Sequence, residues 1–282
     1  MDRPVADANL RRLLDDDEPA PYEIVNPDGR SRVILTCDHA SRRIPRRLGT
    51  LGVAPADLER HVAWDIGAAA VARRLSEILD APLILCGYSR LVVDCNRQLD
   101  EADAFVTQSE DVHVAGNEAI GAAAREARAE AVFWPYHEAV NGIVCARTAG
   151  EATPVMVSVH SFTPVYHGAA RPWDIGVLHR WDRRLADLMM TALRGGELVV
   201  GDNQPYRVAL DEDYTIPVHA ERRGMPYALL EIRQDLVTAD AGAEDWAGRL
   251  AGVLDDVLDD PGVGDYTTPA PDISEPRFER LI

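Results

Sequence analysis

The stretch PVMVSVHSF (154–162) is a run of β-branched and apolar residues interrupted by two serines and a histidine, of which His160 is the costly member. A continuous apolar run of this length, bounded by proline, suits a strand covered on both faces. Runs of the same kind recur on either side of it: RVILTC (32–37), PLILC (82–86), LVVDC (91–95), DIGVLHR (174–180), ELVVG (197–201) and YALLEIR (227–233). Between them lie helical patterns, namely IGAAAVARRLSEILD after Asp65, GNEAIGAAAREARAEAVFW (116–134), WDRRLADLMMTALR (181–194) and AEDWAGRLAGVLDDVL (243–258). The alternation predicts an α/β fold: a single domain, with a mixed, mostly parallel central sheet flanked by helices. The domain is expected over 25–260. The acidic, proline-bearing ends, 1–24 and 261–282, read as a weakly ordered N-terminal segment and a C-terminal tail or strap.

The 282 residues carry 29 basic and 47 acidic side chains, a net charge of -18, and every basic residue is an arginine. A compositional bias of the genome accounts for the missing lysine. Its absence still removes Schiff-base and P-loop lysine chemistry. The acidity argues against a nucleic-acid or anionic-membrane partner, because phosphate binding needs a basic face. No apolar run approaches the roughly 20 residues of a membrane helix, and the N-terminus lacks the apolar core of a secretory leader. Cys37, Cys86, Cys95 and Cys145 show no CxxC spacing. The chain therefore reads as cytoplasmic, with free thiols.

In open α/β sheets the ligand lies beyond the carboxyl ends of the strands. There the runs deliver CDHAS, VHSF and EIRQD, and with them His39, His160 and Glu231. Each has a plain structural reading. His39 suits a hydrogen-bonded turn, His160 a partnered core imidazole, and Glu231 a buried pair with Arg233 or another arginine. Together they are the residue types of a zinc hydrolase.

Six stretches carry a family likeness in order: CDHASRRIP (37–45), HVAWDIGA (61–68), YSRLVVDCNR (88–97), SVHSFTP (158–164), DNQPY (202–206) and HAERRGMPYALLEIRQDLV (219–237). As a set they resemble the N-formylglutamate amidohydrolase family, within the wider group of zinc carboxypeptidases and aspartoacylases. The resemblance implies one catalytic Zn2+ per chain, with His39 and His160 as imidazole ligands. It implies that Glu231 activates water and hands a proton to the leaving nitrogen. It also implies that Arg90, Asn96 and Arg97 grip substrate carboxylates and polarise the scissile carbonyl, Arg90 thereby joining Glu231 in catalysis, with Arg233, His219 and Ser41 on the substrate side. Arginine suits that task on its own chemistry, since its planar fork meets a carboxylate with two parallel hydrogen bonds.

One departure stands out. Zinc carboxypeptidases and aspartoacylases place a glutamate three residues after the first ligand histidine, where this chain has Arg42. A catalytic zinc takes three protein ligands and keeps one open position. Asp65, in AWDIGA, is the candidate third ligand; its plain reading is the N-cap of the helix that follows. His61 is a reserve ligand, four residues before Asp65 and so on one face if that segment is helical. Asp38 and Asp94 are further alternatives, Asp94 being better suited to orienting an arginine or a ligand histidine. His137, among aromatic neighbours, reads as core or rim.

The expected activity is zinc-dependent hydrolysis of an N-formyl or N-acyl group from a small anionic amino-acid derivative such as N-formyl-L-glutamate. Three alternatives stay open: a deacylase for another N-acyl amino acid, a catalytically inactive or metal-binding regulatory protein, and a cysteine amidase using Cys37. A serine hydrolase is disfavoured, because no G-x-S-x-G elbow is present.

Overall fold

The computed structural model of the protein describes residues 12–150, 152–210 and 213–271; the rest of the two terminal segments, 1–11 and 272–282, lies outside them. Seven strands form the central sheet: β1 (Tyr22–Val25), β2 (Val33–Cys37), β3 (Leu83–Cys86), β4 (Val155–Phe162), β5 (Ile175–Leu178), β6 (Val200–Asp202) and β7 (Tyr227–Arg233). Their order is β1-β3-β2-β4-β7-β5-β6. The four central strands are mutually parallel, β1 and β5 lie antiparallel to their inner neighbours, and β6 runs parallel to β5. The sheet is thus mixed and mostly parallel, as the alternation of runs predicts.

All eight residues of β4 are buried. Its pleat sorts them by face. Val155, Val157 and Val159 join the cluster beneath α1 (Ala68–Leu79), α4 (Arg184–Arg194) and α6 (Asp240–Leu258). Met156 joins the opposite cluster, with residues from α3 (Trp134–Thr148) and α5 (Thr215–His219). Each fully buried valine or leucine contributes about 1.5–3 kcal/mol. Two such clusters give the sheet the margin to carry ionisable groups on the α3 side. Parity also decides what happens at β2: Cys37 falls into the α1–α6 cluster, while Asp38 meets Tyr136 of α3 on the other side and His39 follows it in the turn.

Four local expectations change. LVVDC (91–95) is not a strand. Its apolar side chains are buried, but its backbone closes local turns, with Leu91 N donating to Ser89 Oγ (3.1 Å) and Val92 N to the Ser89 carbonyl (2.9 Å). A buried apolar run looks the same in a packed turn as in a strand. The 116–134 helix starts at α2 (Ala122–Arg128) and continues through a π-helical turn (Ala129–Phe133) into α3. His61 stands in a turn, so the shared helix face with Asp65 does not form. Finally, β1 is an ordered edge strand at the boundary of the acidic N-terminal segment. In the described part of the C-terminal segment, Arg184 donates to the carbonyls of Gly262 (2.8 Å) and Asp265 (2.9 Å), and Thr267 N to that of Gly224 (2.8 Å).

Candidate active site

Parallel pairing of β4 and β7 places Glu231 opposite His160. The turn after β2 brings His39 to the same place, its ring edge-on to that of His160 with centroids 4.9 Å apart. Asp65 closes the group from the turn before α1, where its backbone N–H donates to the His39 carbonyl (2.9 Å). The helix itself is entered through Gly67, and no side chain caps it. The Asp65 carboxylate instead accepts from His160 Nδ1 (2.8 Å) and Ser161 N (3.3 Å), with His39 Nδ1 at 3.4 Å. The N-cap reading of Asp65 is thereby replaced.

Donor atoms of His39, Asp65 and His160 lie within 4.8 Å of one another, and all three residues are buried. Both imidazoles are held from behind by a second carboxylate. His39 Nε2 meets Asp94 Oδ1 at 2.7 Å, and His160 Nε2 meets Asp38 Oδ2 at 2.9 Å. That arrangement leaves both Nδ1 atoms turned toward Asp65, and buried His39 Nδ1 has no hydrogen-bond partner among the described residues. Two imidazole nitrogens and one carboxylate oxygen, each backed by an outer hydrogen bond, are a donor set suited to zinc. His61 lies outside this group, with Nε2 3.1 Å from Glu110.

The charges are strongly coupled. Burial pushes the Asp38 and Asp65 carboxyls upward, but the neighbouring histidines outweigh it and hold both below the usual range. Burial depresses the His160 imidazole, yet its bonds to Asp38 and Asp65 carry it well above its ordinary value. Asp38 is the most heavily bonded of the carboxylates around the two histidines, accepting from Tyr136 Oη (2.7 Å), Thr215 Oγ1 (2.7 Å), Ser158 Oγ (3.2 Å) and His160. Glu231 is the opposite case. It is 7% exposed, its Oε2 has no partner among the described residues, and burial pushes its carboxyl up to about 7 against the charges of His160, His39 and Arg90. A carboxyl that exchanges its proton near neutrality is suited to acid–base work.

Above this floor opens a cavity of about 590 Å³ lined by His39, Asp65, Arg90, Arg97 and Glu231, among others. Arg90 donates to Asp94 (2.7 Å), so Asp94 orients an arginine and a histidine at once. Arg97 donates to Asp213 (3.0 Å). Asn96 borders the cavity, but its side chain is engaged: Nδ2 donates to Asp213 (2.9 Å), and Oδ1 accepts from the backbone of Tyr214 and Thr215. Three expected substrate-side residues stand outside the lining. The Arg233 guanidinium pairs with Asp235 and Asp174, so the expected Glu231–Arg233 pair does not form. Ser41 Oγ accepts from Arg43 N (3.1 Å). His219 is fully buried, with Nε2 3.1 Å from His137 Nδ1, while His137 Nε2 donates to the Cys95 carbonyl (2.8 Å). Cys37 faces the other side of the sheet, and burial raises its thiol well above the usual range, which removes the nucleophile of the cysteine-amidase alternative. Sequence reading missed Asp38 as a hub and Arg207 as a lining residue. The carboxylate placed directly beside His39 was the only signal for the first.

A sequence model of the N-formylglutamate amidohydrolase family matches residues 31–238. A gene product of Agrobacterium tumefaciens, known from its crystal structure, is 39% identical; the match covers 88% of this chain and 98% of that one, with a TM-score of 0.85. The crystal structure of N-formylglutamate amidohydrolase from Ralstonia eutropha is similar in fold at 17% identity, with 83% and 96% of the two chains covered and a TM-score of 0.64. No curated protein matches the chain.

Proposed function

Since the chain belongs to the N-formylglutamate amidohydrolase family, we propose that it is a zinc-dependent hydrolase that removes a formyl group from an acidic amino acid, N-formyl-L-glutamate being the leading substrate. The observation that carries this reading is the convergence of His39, Asp65 and His160 beside a partnerless Glu231 carboxyl. Zinc bound by those three residues supplies Lewis acidity, which makes water a better nucleophile and a carbonyl carbon a better target. Glu231 takes a proton from the attacking water as its oxygen adds to the acyl carbon. The same carboxyl returns a proton to the nitrogen as the C–N bond breaks, giving formate and glutamate. Asp94 and Asp38 hold the two imidazoles in one tautomer and orientation. Arg90 faces the developing negative charge on the acyl oxygen, and Arg97 receives a substrate carboxylate. Asp65 answers the missing glutamate of the His-x-x-Glu pattern, which was the main support for a metal-binding regulatory protein.

Formate release from N-formyl-L-glutamate, followed alongside metal analysis, tests the reading. Turnover should disappear with a chelator and return on adding zinc. Glu231→Gln should keep about one zinc per chain and lose roughly 100- to 10,000-fold in kcat. Near-normal turnover by the chelated protein or by this variant overturns it. N-acetyl amino acids and N-formyl amino acids with neutral side chains, followed by release of the free amino acid, identify a deacylase of another specificity.

A further inference from the structure

Most charges lining the cavity are already matched. Arg90 is held by Asp94 and lies 3.8 Å from Asp65, Arg97 is held by Asp213, and Glu110 lies against Arg60 and His61. Besides Glu231 on the floor, two charged lining side chains, Arg207 and Asp103, have no partner among the described residues, and both are exposed.

Arg207 is presented by a segment pinned at two points. Its base presses on the sheet: a Cβ added at Gly176 in β5 would lie 1.8 Å from the Gln204 carbonyl oxygen. Further along, the Tyr206 hydroxyl accepts from Arg171 (2.9 Å). The Arg171 guanidinium lies 4.8 Å from the Tyr206 ring and 4.5 Å from that of Tyr166. This clasp ties the segment to the small hairpin of Val165–Tyr166 and Ala169–Ala170. Tyr206 and Arg207 line the same cavity as Glu231 and Arg90, so the segment borders the reacting floor.

Resting on the amidohydrolase reading above, we propose that Arg207 determines substrate class by receiving the side-chain carboxylate of an acylated acidic amino acid. Depth assigns the two carboxylates. The α-carboxylate is one carbon from the scissile nitrogen and must sit low, near Arg90 and Arg97. The side-chain carboxylate extends outward, where an exposed, unpaired guanidinium stands with both prongs free for it. Without Arg207 the charged groups left unpaired in the lining are the carboxyls of Asp103 and Glu231, and neither supplies a positive charge to the substrate's side chain.

The test compares kcat/KM for N-formyl-L-glutamate with that for N-formyl-L-glutamine, its isostere with a neutral side chain, using zinc-loaded protein. The wild type should prefer the glutamate compound by about ten- to a hundredfold, the range of a charge-assisted hydrogen bond. Arg207→Gln should bring the ratio to about one or below, and Arg207→Lys, a point charge without the fork, should fall between. An unchanged ratio in Arg207→Gln overturns the inference. If the wild type hydrolyses neither compound, the amidohydrolase reading falls, and calorimetric titration with glutarate decides the subsite. Weaker binding by Arg207→Gln sustains an anion site there; equal binding, or none to the wild type, overturns it.

Discussion

Glu231 is a carboxyl kept in the apolar strand β7 at a standing electrostatic penalty, and that penalty is measurable. Burial lifts it from its ordinary 4.5 to about 7. The folded state therefore holds this proton more tightly than the unfolded chain, so the associated stability is fully present below about pH 4.5 and lost as pH rises through about 7. Glutamine keeps the shape and never ionises. In metal-free protein, the stability of Glu231→Gln relative to wild type should grow by roughly 2–3 kcal/mol between about pH 5 and 8. Denaturant midpoints at the two pH values check this, and a constant difference would refute it. His160 and Glu231 were legible for the same reason that they are costly: each interrupts an apolar run. Asp38 was not, because its donors come from Tyr136, Ser158, His160 and Thr215, which only the fold brings together. Nor was Arg207, since nothing in the sequence marks which exposed arginine faces a cavity.

Between elements, the site depends on how closely the start of α1 approaches the chain beyond β7. Gly67 sits at φ +82°, and a Cβ there would lie 2.3 Å from the Val237 carbonyl oxygen. The two segments that meet at this point carry Asp65 and follow Glu231. Gly67→Ala combines left-handed strain with a backbone clash, and is expected to destabilise the fold by about 2–4 kcal/mol. Because the turn bearing Asp65 must shift, affinity for the proposed zinc should fall as well. Thermal unfolding and chelator competition read the two effects separately; an unchanged midpoint and an unchanged affinity would show that the contact is slack. Six of the seven apolar runs fall on strands because period and length suffice to mark a covered strand. The seventh, 91–95, failed because Ser89 closes turns that no hydropathy pattern encodes. The antiparallel entry of β5 was equally hidden: the chain between Phe162 and Ile175 holds a small hairpin and no helix, so the usual covered crossover is missing.

At the scale of the whole molecule, the charge of -18 and the proposed substrate have the same sign. The exterior repels a dianion, while on the proposed reading Arg90, Arg97, Arg207 and the zinc would attract it only once it is inside. These contributions respond differently to salt. At ionic strengths of about 0.1 M the screening length is roughly 10 Å, so long-range repulsion by the surface is damped, while contacts within a few ångströms in a partly closed cavity are damped less. The balance predicts that kcat/KM for N-formyl-L-glutamate rises as salt increases from about 10 to 100 mM, the reverse of an electrostatically steered enzyme. The monoanionic glutamine analogue, feeling about half the repulsion, should rise less. Initial rates at subsaturating substrate across that range provide the measurement. A fall for the dianion would mean that the arginine cavity projects its field beyond the acidic surface, and that encounter is steered from outside after all.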